Sequence, residues 1–289
     1  MASMRDIKRR KSSIQSTQQI TKAMKLVSTV KLQRTKQRAE QSKTYFEAMY
    51  KTVTSMLSKT GGLNHPYLKA GASDKKAVIV ITSNRGLAGG YNSNVTKLIT
   101  KGEFKKEDLV LYTIGKKGNE TFRRMGYNIA WDNTEMIEEP RYDDAMKLSK
   151  EILTGFSNGE FGEIYLAYTA FKNTISHEPT LIKLLPYEVD ENEASDDKQE
   201  KDDNVLMNFE PKDEEALNMI IPKYITSLIF GGMVEAAASE NGARMQAMDS
   251  ATSNAEEMIS SLSLMYNRAR QGSITQELTE IVAGANAIS

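Results

Sequence analysis

The chain has 289 residues, with 38 lysine and arginine residues balanced by 38 aspartate and glutamate residues, so no overall charge marks it as a nucleic-acid or membrane-surface binder. Zero cysteines exclude disulfides, zinc ribbons and thiol catalysis and suit a reducing compartment, while two histidines leave little for metal or acid–base work. No apolar run approaches the roughly 18 residues of a membrane span, and the N-terminus lacks the apolar stretch of a signal peptide, so a soluble intracellular protein is expected.

From Met4 to about Lys59 there is no proline or glycine. Ile20, Met24, Val27, Met49, Val53, Met56 and Leu57 recur at helical steps, which predicts one helix about 55 residues and roughly 80 Å long. Residues 1–43 carry twelve bases against Asp6 and Glu40, a net charge of +10, and contain no aromatic residue on which a nucleic-acid base would stack. Gly61, Gly62 and Pro66 end the helix. Residues 75–190 change character: Ala77–Thr82, Leu109–Ile114 and Glu163–Tyr168 are short β-branched runs, with helical stretches at 93–100, 117–125 and 142–156 between them. That alternation predicts a Rossmann-like α/β domain with a mostly parallel sheet. Residues 188–203 carry nine acids and two lysines, a net charge of −7, and are expected to form a solvated loop.

Helical periodicity returns in the last third. Met258, Leu262, Met265 and Ala269, then Ile274, Leu278, Ile281, Ala285 and Ile288, read as a heptad seam interrupted by one extra residue at Gly272. Pro222 is expected to kink this helix or start it. Gly231, Gly232 and Ala236 to Ala238 would admit another helix closely. From residue 212 onward the net charge is −5, so the basic first helix and acidic last helix are expected to pair as an antiparallel coiled coil. The expected organisation is a shaft helix over 1–60, an inserted α/β domain over 61–211 and a second shaft helix over 212–289. Such a pair needs a covering partner, or covers itself as a self-associating coiled-coil scaffold.

Three motifs fail as active sites. Ser83-Asn84-Arg85-Gly86-Leu87-Ala88-Gly89-Gly90-Tyr91-Asn92 sits between a strand and a helix, yet it lacks the spacing and the lysine of a phosphate-binding loop. Gly155-Phe156-Ser157-Asn158-Gly159 has the nucleophile-elbow pattern, but follows a helix and precedes a strand, the reverse of what the elbow needs. His177-Glu178-Pro179 lacks the second histidine of a zinc protease and reads as a loop. No catalytic residue and no metal ligand is assigned.

The two ends carry a family resemblance. Residues 20–28 (ITKAMKLVS), 239–249 (SENGARMQAMD) and 266–282 (YNRARQGSITQELTEIV) resemble the three signatures of the gamma subunit of F-type ATP synthases, and SNRGLAGGYN resembles its central segment. Asn84, Ala88 and Gly272 depart from the usual aspartate, cysteine and alanine. The resemblance implies a non-catalytic central-stalk rotor that couples ion flow through the membrane ring to ATP synthesis or hydrolysis. Implied partners are the alpha and beta subunits, the epsilon subunit and the ring of c subunits, with no nucleic acid and with membrane contact only through the complex. It further implies that Met24, Lys25, Arg244, Arg270, Gln271, Thr275 and Glu277 face the alpha/beta hexamer and that Phe209 and Glu210 contact the ring. ATP, ADP and magnesium would lie on the beta subunits, with no cofactor on this chain. The lack of a transit-like extension before Met4 points to a bacterial form at the cytoplasmic face of the cell membrane.

Overall fold

The computed structural model describes residues 3–59, 65–71, 73–187 and 213–288. Two very long helices, α1 (Met4–Lys59) and α5 (Asp213–Ile288), enclose in sequence an α/β segment. That segment comprises β1 (Lys76–Ile81), α2 (Tyr91–Thr100), β2 (Leu109–Ile114), α3 (Lys116–Arg124), β3 (Asn128–Asn133), α4 (Tyr142–Ser157), β4 (Glu163–Phe171) and β5 (His177–Leu185). By packing, the chain forms two compact units: residues 30–243, and residues 1–29 together with 244–289. The acidic loop at 188–203 and the pair Phe209 and Glu210 lie outside the described residues.

The larger unit is a five-stranded sheet of order β3-β2-β1-β4-β5. Strands β1 to β4 are parallel, and β5 returns antiparallel along the edge of β4. The strand period of two splits the apolar residues of β1 between the faces. Ala77, Ile79 and Ile81 pack with Leu148 and Ile152 of α4 and with Ile221, Ile225 and Ile229 of α5. Val78 and Val80 pack with Val95 and Ile99 of α2 and Phe122 of α3. Burial on both faces is why β1 and β2 read as continuous apolar runs.

The two strands not expected from sequence are the edges. β3 alternates exposed and half-buried residues around Trp131. β5 contains Pro179, which only an edge strand accommodates, opposite Thr169 of β4.

Pro222 neither starts α5 nor breaks it; it lies within the helix, and its carbonyl accepts a hydrogen bond from Thr226 Oγ1 at 2.8 Å. The small residues near Gly232 admit the sheet rather than another helix, since a Cβ there would stand 3.0 Å from Leu166 Cδ2 and 3.6 Å from Ile81 Cδ1. One stretch of α5 does have the length and mean hydropathy (1.3) of a membrane crossing, contrary to the sequence reading, but 61% of it is buried inside the protein. Core helices meet that criterion as readily as spans.

The smaller unit is an antiparallel helix pair. Gln18 Nε2 donates to Glu256 Oε1 (3.0 Å), Thr21 and Thr252 hydroxyls meet at 2.8 Å, and Lys25 Nζ reaches Asp249 Oδ1 at 2.5 Å. The buried and half-buried positions of α1 here include 4, 7, 11, 14, 18, 21, 25 and 28, a heptad pattern flanked by half-buried 24 and 29. Those of α5 include the heptad series 245, 248, 252, 255, 259, 262, 266, 269 and 273, flanked by half-buried 244, 247, 251 and 263. This corrects the expected seam twice. Met258 and Met265 are about half exposed and turned away, and the true heptad passes Gly272 without an extra residue.

Candidate functional site

The α/β segment holds no reaction centre where the sequence motifs stand. In the loop after β1, Ser83 N–H donates to Asn92 Oδ1 (2.9 Å), Ser83 Oγ donates to the Arg85 carbonyl (2.6 Å), and Asn92 Nδ2 donates to Ser83 Oγ (2.7 Å). Asn84 bridges to α3 by accepting from Lys116 N–H at 3.0 Å. The polar groups of Ser83, Asn84 and Asn92 are thus engaged inside the fold. Left-handed backbone at Leu87 (φ 61) and Gly89 (φ 56) completes the tight turn, and Tyr91 donates its hydroxyl proton to the Ala236 carbonyl of α5 (3.1 Å). The loop is a structural junction.

Both histidines are also structural. His65 Nδ1 accepts from Tyr67 N–H (3.2 Å), which leaves Nε2 protonated toward Asn218 Oδ1 at 3.1 Å. His177 opens β5 rather than lying in a loop, and its ring sits against Gly242 of α5, where a Cβ would stand 2.5 Å from Cε1. Its ring nitrogens are buried, and desolvation, outweighing an opposing interaction with the Thr174 backbone, lowers its pKa below the ordinary 6.5. Ser157 ends α4, as the reversed elbow order requires. No cluster of three potential metal ligands occurs among the described residues.

What remains is the helix pair. Its seam is slim and polar: Thr21, Ser28, Thr252 and Ala255 are buried there beside Ile7, Met248 and Leu262. Its outer surface is the reverse. Ile20, Leu26 and Val27 are each about 60% exposed on α1, as are Leu264, Leu278 and Ile281 on α5. The pairing puts residue 21 opposite 252 and 25 opposite 249, so Met4 stands near residue 270 and the rest of α5 continues past it. Residues 274–286 are exposed throughout. An amphipathic pair with its bulky apolar side chains outward is a surface built for another protein.

The family model for ATP synthase matches residues 3–288. An ATP synthase gamma chain from Lachnoclostridium phytofermentans is 66% identical over the whole of both chains. The chain belongs to the ATP synthase gamma chain family. A sodium-ion-specific ATP synthase gamma chain of Acetobacterium woodii is 42% identical over 99% of each chain. Among solved structures, a chain of the Euglena gracilis mitochondrial ATP synthase (OSCP/F1/c-ring, rotational state 3) has a TM-score of 0.68 at 18% identity, covering 99% of this chain and 94% of that one. At that identity it bears on the fold alone.

Within this gamma-family chain the sequence-expected contact residues fall into two groups. Met24, Lys25 and Arg244 are half-buried around one level of the pair, and Lys25 is bound to Asp249 while still 39% exposed. Arg270, Gln271, Thr275 and Glu277 are exposed on one stretch of α5. Ser273 Oγ donates to Glu277 Oε1 at 3.4 Å, and Thr275 Oγ1 donates to the Gln271 carbonyl at 2.9 Å. The groups lie roughly 40 Å apart along α5 at 1.5 Å per residue, so they occupy two separate levels of the helix. The sequence reading used Ile20 and Val27 only as marks of helical spacing, and both prove to be exposed. The recurring small residues Thr21 and Ser28, seven apart, were the signal that reveals the true seam.

Proposed function

We propose that this chain is the central-stalk rotor subunit of an F-type ATP synthase, coupling ion flow through the membrane ring to ATP synthesis or hydrolysis in the alpha/beta hexamer. The observation that carries the proposal is the family match across residues 3–288, joined to full-length 66% identity with a gamma chain. In this reading the chain performs no bond chemistry. ATP, ADP and magnesium bind on the beta subunits, the epsilon subunit and the ring of c subunits bind the larger unit, and the chain sits at the cytoplasmic face of a bacterial cell membrane through the complex.

The physics of the helix pair fits a shaft turning inside a sleeve. Small seam residues keep the pair narrow. Each bulky apolar side chain on its outside gains about 1.5–3 kcal/mol when a partner covers it. The polar residues proposed to face the hexamer supply directional contacts, each charged hydrogen bond contributing about 1.5–3 kcal/mol in one angular state and little in the others. At one level these are Lys25 and Arg244, with the apolar Met24 packing beside them; at the other they are Arg270, Gln271, Thr275 and Glu277. Phe209 and Glu210 are proposed ring contacts.

The test compares two modes of turnover in the assembled complex. Replacing both Arg270 and Gln271 with alanine should lower multisite ATP turnover and ion transport severalfold. Single-site hydrolysis on the beta subunits needs no rotation and should persist. If both modes fall together to the level of a lost catalytic group, the rotor reading is wrong.

A further inference from the structure

The sequence contains two Asn-Gly pairs, Asn158-Gly159 and Asn241-Gly242. An asparagine before glycine readily loses its side-chain amide, because the next backbone nitrogen can attack the side-chain carbon with no Cβ in the way. The fold treats the two pairs in opposite ways. Asn241 lies inside α5 and is 8% exposed, and its Nδ2 donates to the Ala237 carbonyl at 2.8 Å. Gly242 is packed so closely that a Cβ would stand 2.5 Å from the His177 ring of β5. Attack on the Asn241 side chain would therefore require unwinding a buried stretch of α5.

Asn158 and Gly159 are exposed, at the turn between α4 and β4. Gly159 has φ 76, and a Cβ there would meet nothing within 4 Å. Two crossed hydrogen bonds close the helix end: Gly159 N–H donates to the Phe156 carbonyl at 3.0 Å, and Glu160 N–H donates to the Gly155 carbonyl at 2.9 Å. Asn158 has ψ −5, so its side chain meets the Gly159 nitrogen only after the backbone turns and the first of these bonds opens. That opening is the fraying of one terminal turn, among the least costly motions of a fold.

We propose that Asn158 is a site of spontaneous modification, converting to aspartate and isoaspartate in the folded chain, while burial protects Asn241. The Gly159 nitrogen bonds to Asn158 Cγ, the Cγ–Nδ2 bond breaks, and ammonia leaves with the proton given up by Gly159. The resulting succinimide takes up one water. Opening at Cγ gives aspartate; opening at the backbone carbonyl gives isoaspartate, whose main chain runs through the former side chain. No oxidant or reductant is involved. Either product places a negative charge at the C-terminal end of α4, where the helix dipole disfavours it, beside exposed Glu160. The isoaspartate form also lengthens the chain between Phe156 and Phe161, which are both buried in the core, so the two closing bonds lose their geometry. The proposal concerns the chain itself and does not depend on the rotor reading.

The test is ageing of the full-length chain in mildly alkaline buffer, followed by peptide mapping with mass spectrometry and enzymatic methylation of isoaspartate. In the folded chain, conversion at Asn158 should outpace conversion at Asn241 by about tenfold or more. In concentrated urea the two pairs should convert at similar rates, since only the fold distinguishes them. Asn158→Gln keeps an exposed amide but disfavours the ring closure, and should abolish the isoaspartate signal from this peptide. Equal rates at the two pairs in the folded chain would overturn the proposal. So would an Asn158 that stays intact in the folded chain while it converts in urea, because the helix cap would then protect it.

Discussion

Glu163, at the start of β4, offers the sharpest quantitative test of the larger unit. Its carboxylate accepts from Lys76 Nζ at 2.6 Å, Lys183 Nζ at 3.1 Å and the Tyr165 hydroxyl at 3.1 Å, tying together β1, β4 and β5. Desolvation alone would raise its pKa, but the hydrogen bonds from Lys76, Lys183 and Tyr165 overcome it and bring the value down to about 2 from 4.5. Taken in full, that shift corresponds to about 3 kcal/mol, and screening at a partly exposed site reduces it to about 1–2 kcal/mol. Because the folded-state pKa lies below the unfolded one, the contribution is complete above pH 4.5 and is lost as pH falls toward 2. Glu163→Gln keeps the shape, removes the charge and leaves two ammonium groups facing each other. The variant should be less stable by about 1–2 kcal/mol at pH 7 and should converge on the parent near pH 2. Urea unfolding followed by fluorescence of Trp131, the one tryptophan, reads this from β3 of the same sheet. An equal deficit at pH 7 and pH 2.5, or no deficit at pH 7, would refute the electrostatic account.

Gly115 has φ 96, and an added Cβ would stand 2.0 Å from the Thr82 carbonyl oxygen, so Gly115→Ala should cost about 2–4 kcal/mol, read as a lowered melting temperature or loss of folded protein. Gly272→Ala meets open space on a helix and should stabilise α5 by up to about 1 kcal/mol with assembly intact; loss of assembly would mean that a partner approaches closely there. His177 is held neutral by burial, its folded pKa below 6.5, so stability should fall as pH drops below 6.5, and His177→Asn should flatten that limb of a denaturation–pH curve. Residues 274–286, exposed in the free chain, should exchange amide hydrogens fast when alone and slowly in the assembled complex; equal protection in both would argue against a covering partner.

Most of the fold was legible in the sequence wherever burial is two-sided or the helix is long. The absence of proline and glycine located α1, and the β-branched runs located β1, β2 and the start of β4, because a strand covered on both faces must be apolar throughout. β3 and β5 were not legible for the same reason turned round. An edge strand needs only one buried face, so half-buried Ile129 and Trp131 alternate with exposed Asn128, Ala130 and Asp132, and Pro179 argues against any strand that is not an edge. The helix pair misled in a different way. A hydrophobic-periodicity rule assigns the bulky residues to the seam, and here Ile20, Val27, Met258 and Met265 point outward while threonine, serine and alanine point in. The rule presumes that water is the outer environment. Where another protein takes that place, the pattern inverts, and only the spacing of the small residues betrays it. The proposed contact residues came from the family resemblance rather than from any physical signature, since Arg270, Gln271, Thr275 and Glu277 look like an ordinary solvated helix face.

The inside-out patterning of the helix pair bears on how a cell must manufacture this protein. A newly made copy displays Ile20, Leu26, Val27, Leu264, Ile274, Leu278, Ile281 and Val282 to the surroundings, a composition that recruits chaperones or self-associates once synthesis outpaces capture. On the rotor reading, stockpiling the free subunit is costly, and its supply has to track that of the proposed enclosing partners. Produced alone at high yield, the chain should collect in insoluble form, whereas co-production with its enclosing partners should keep it dispersed.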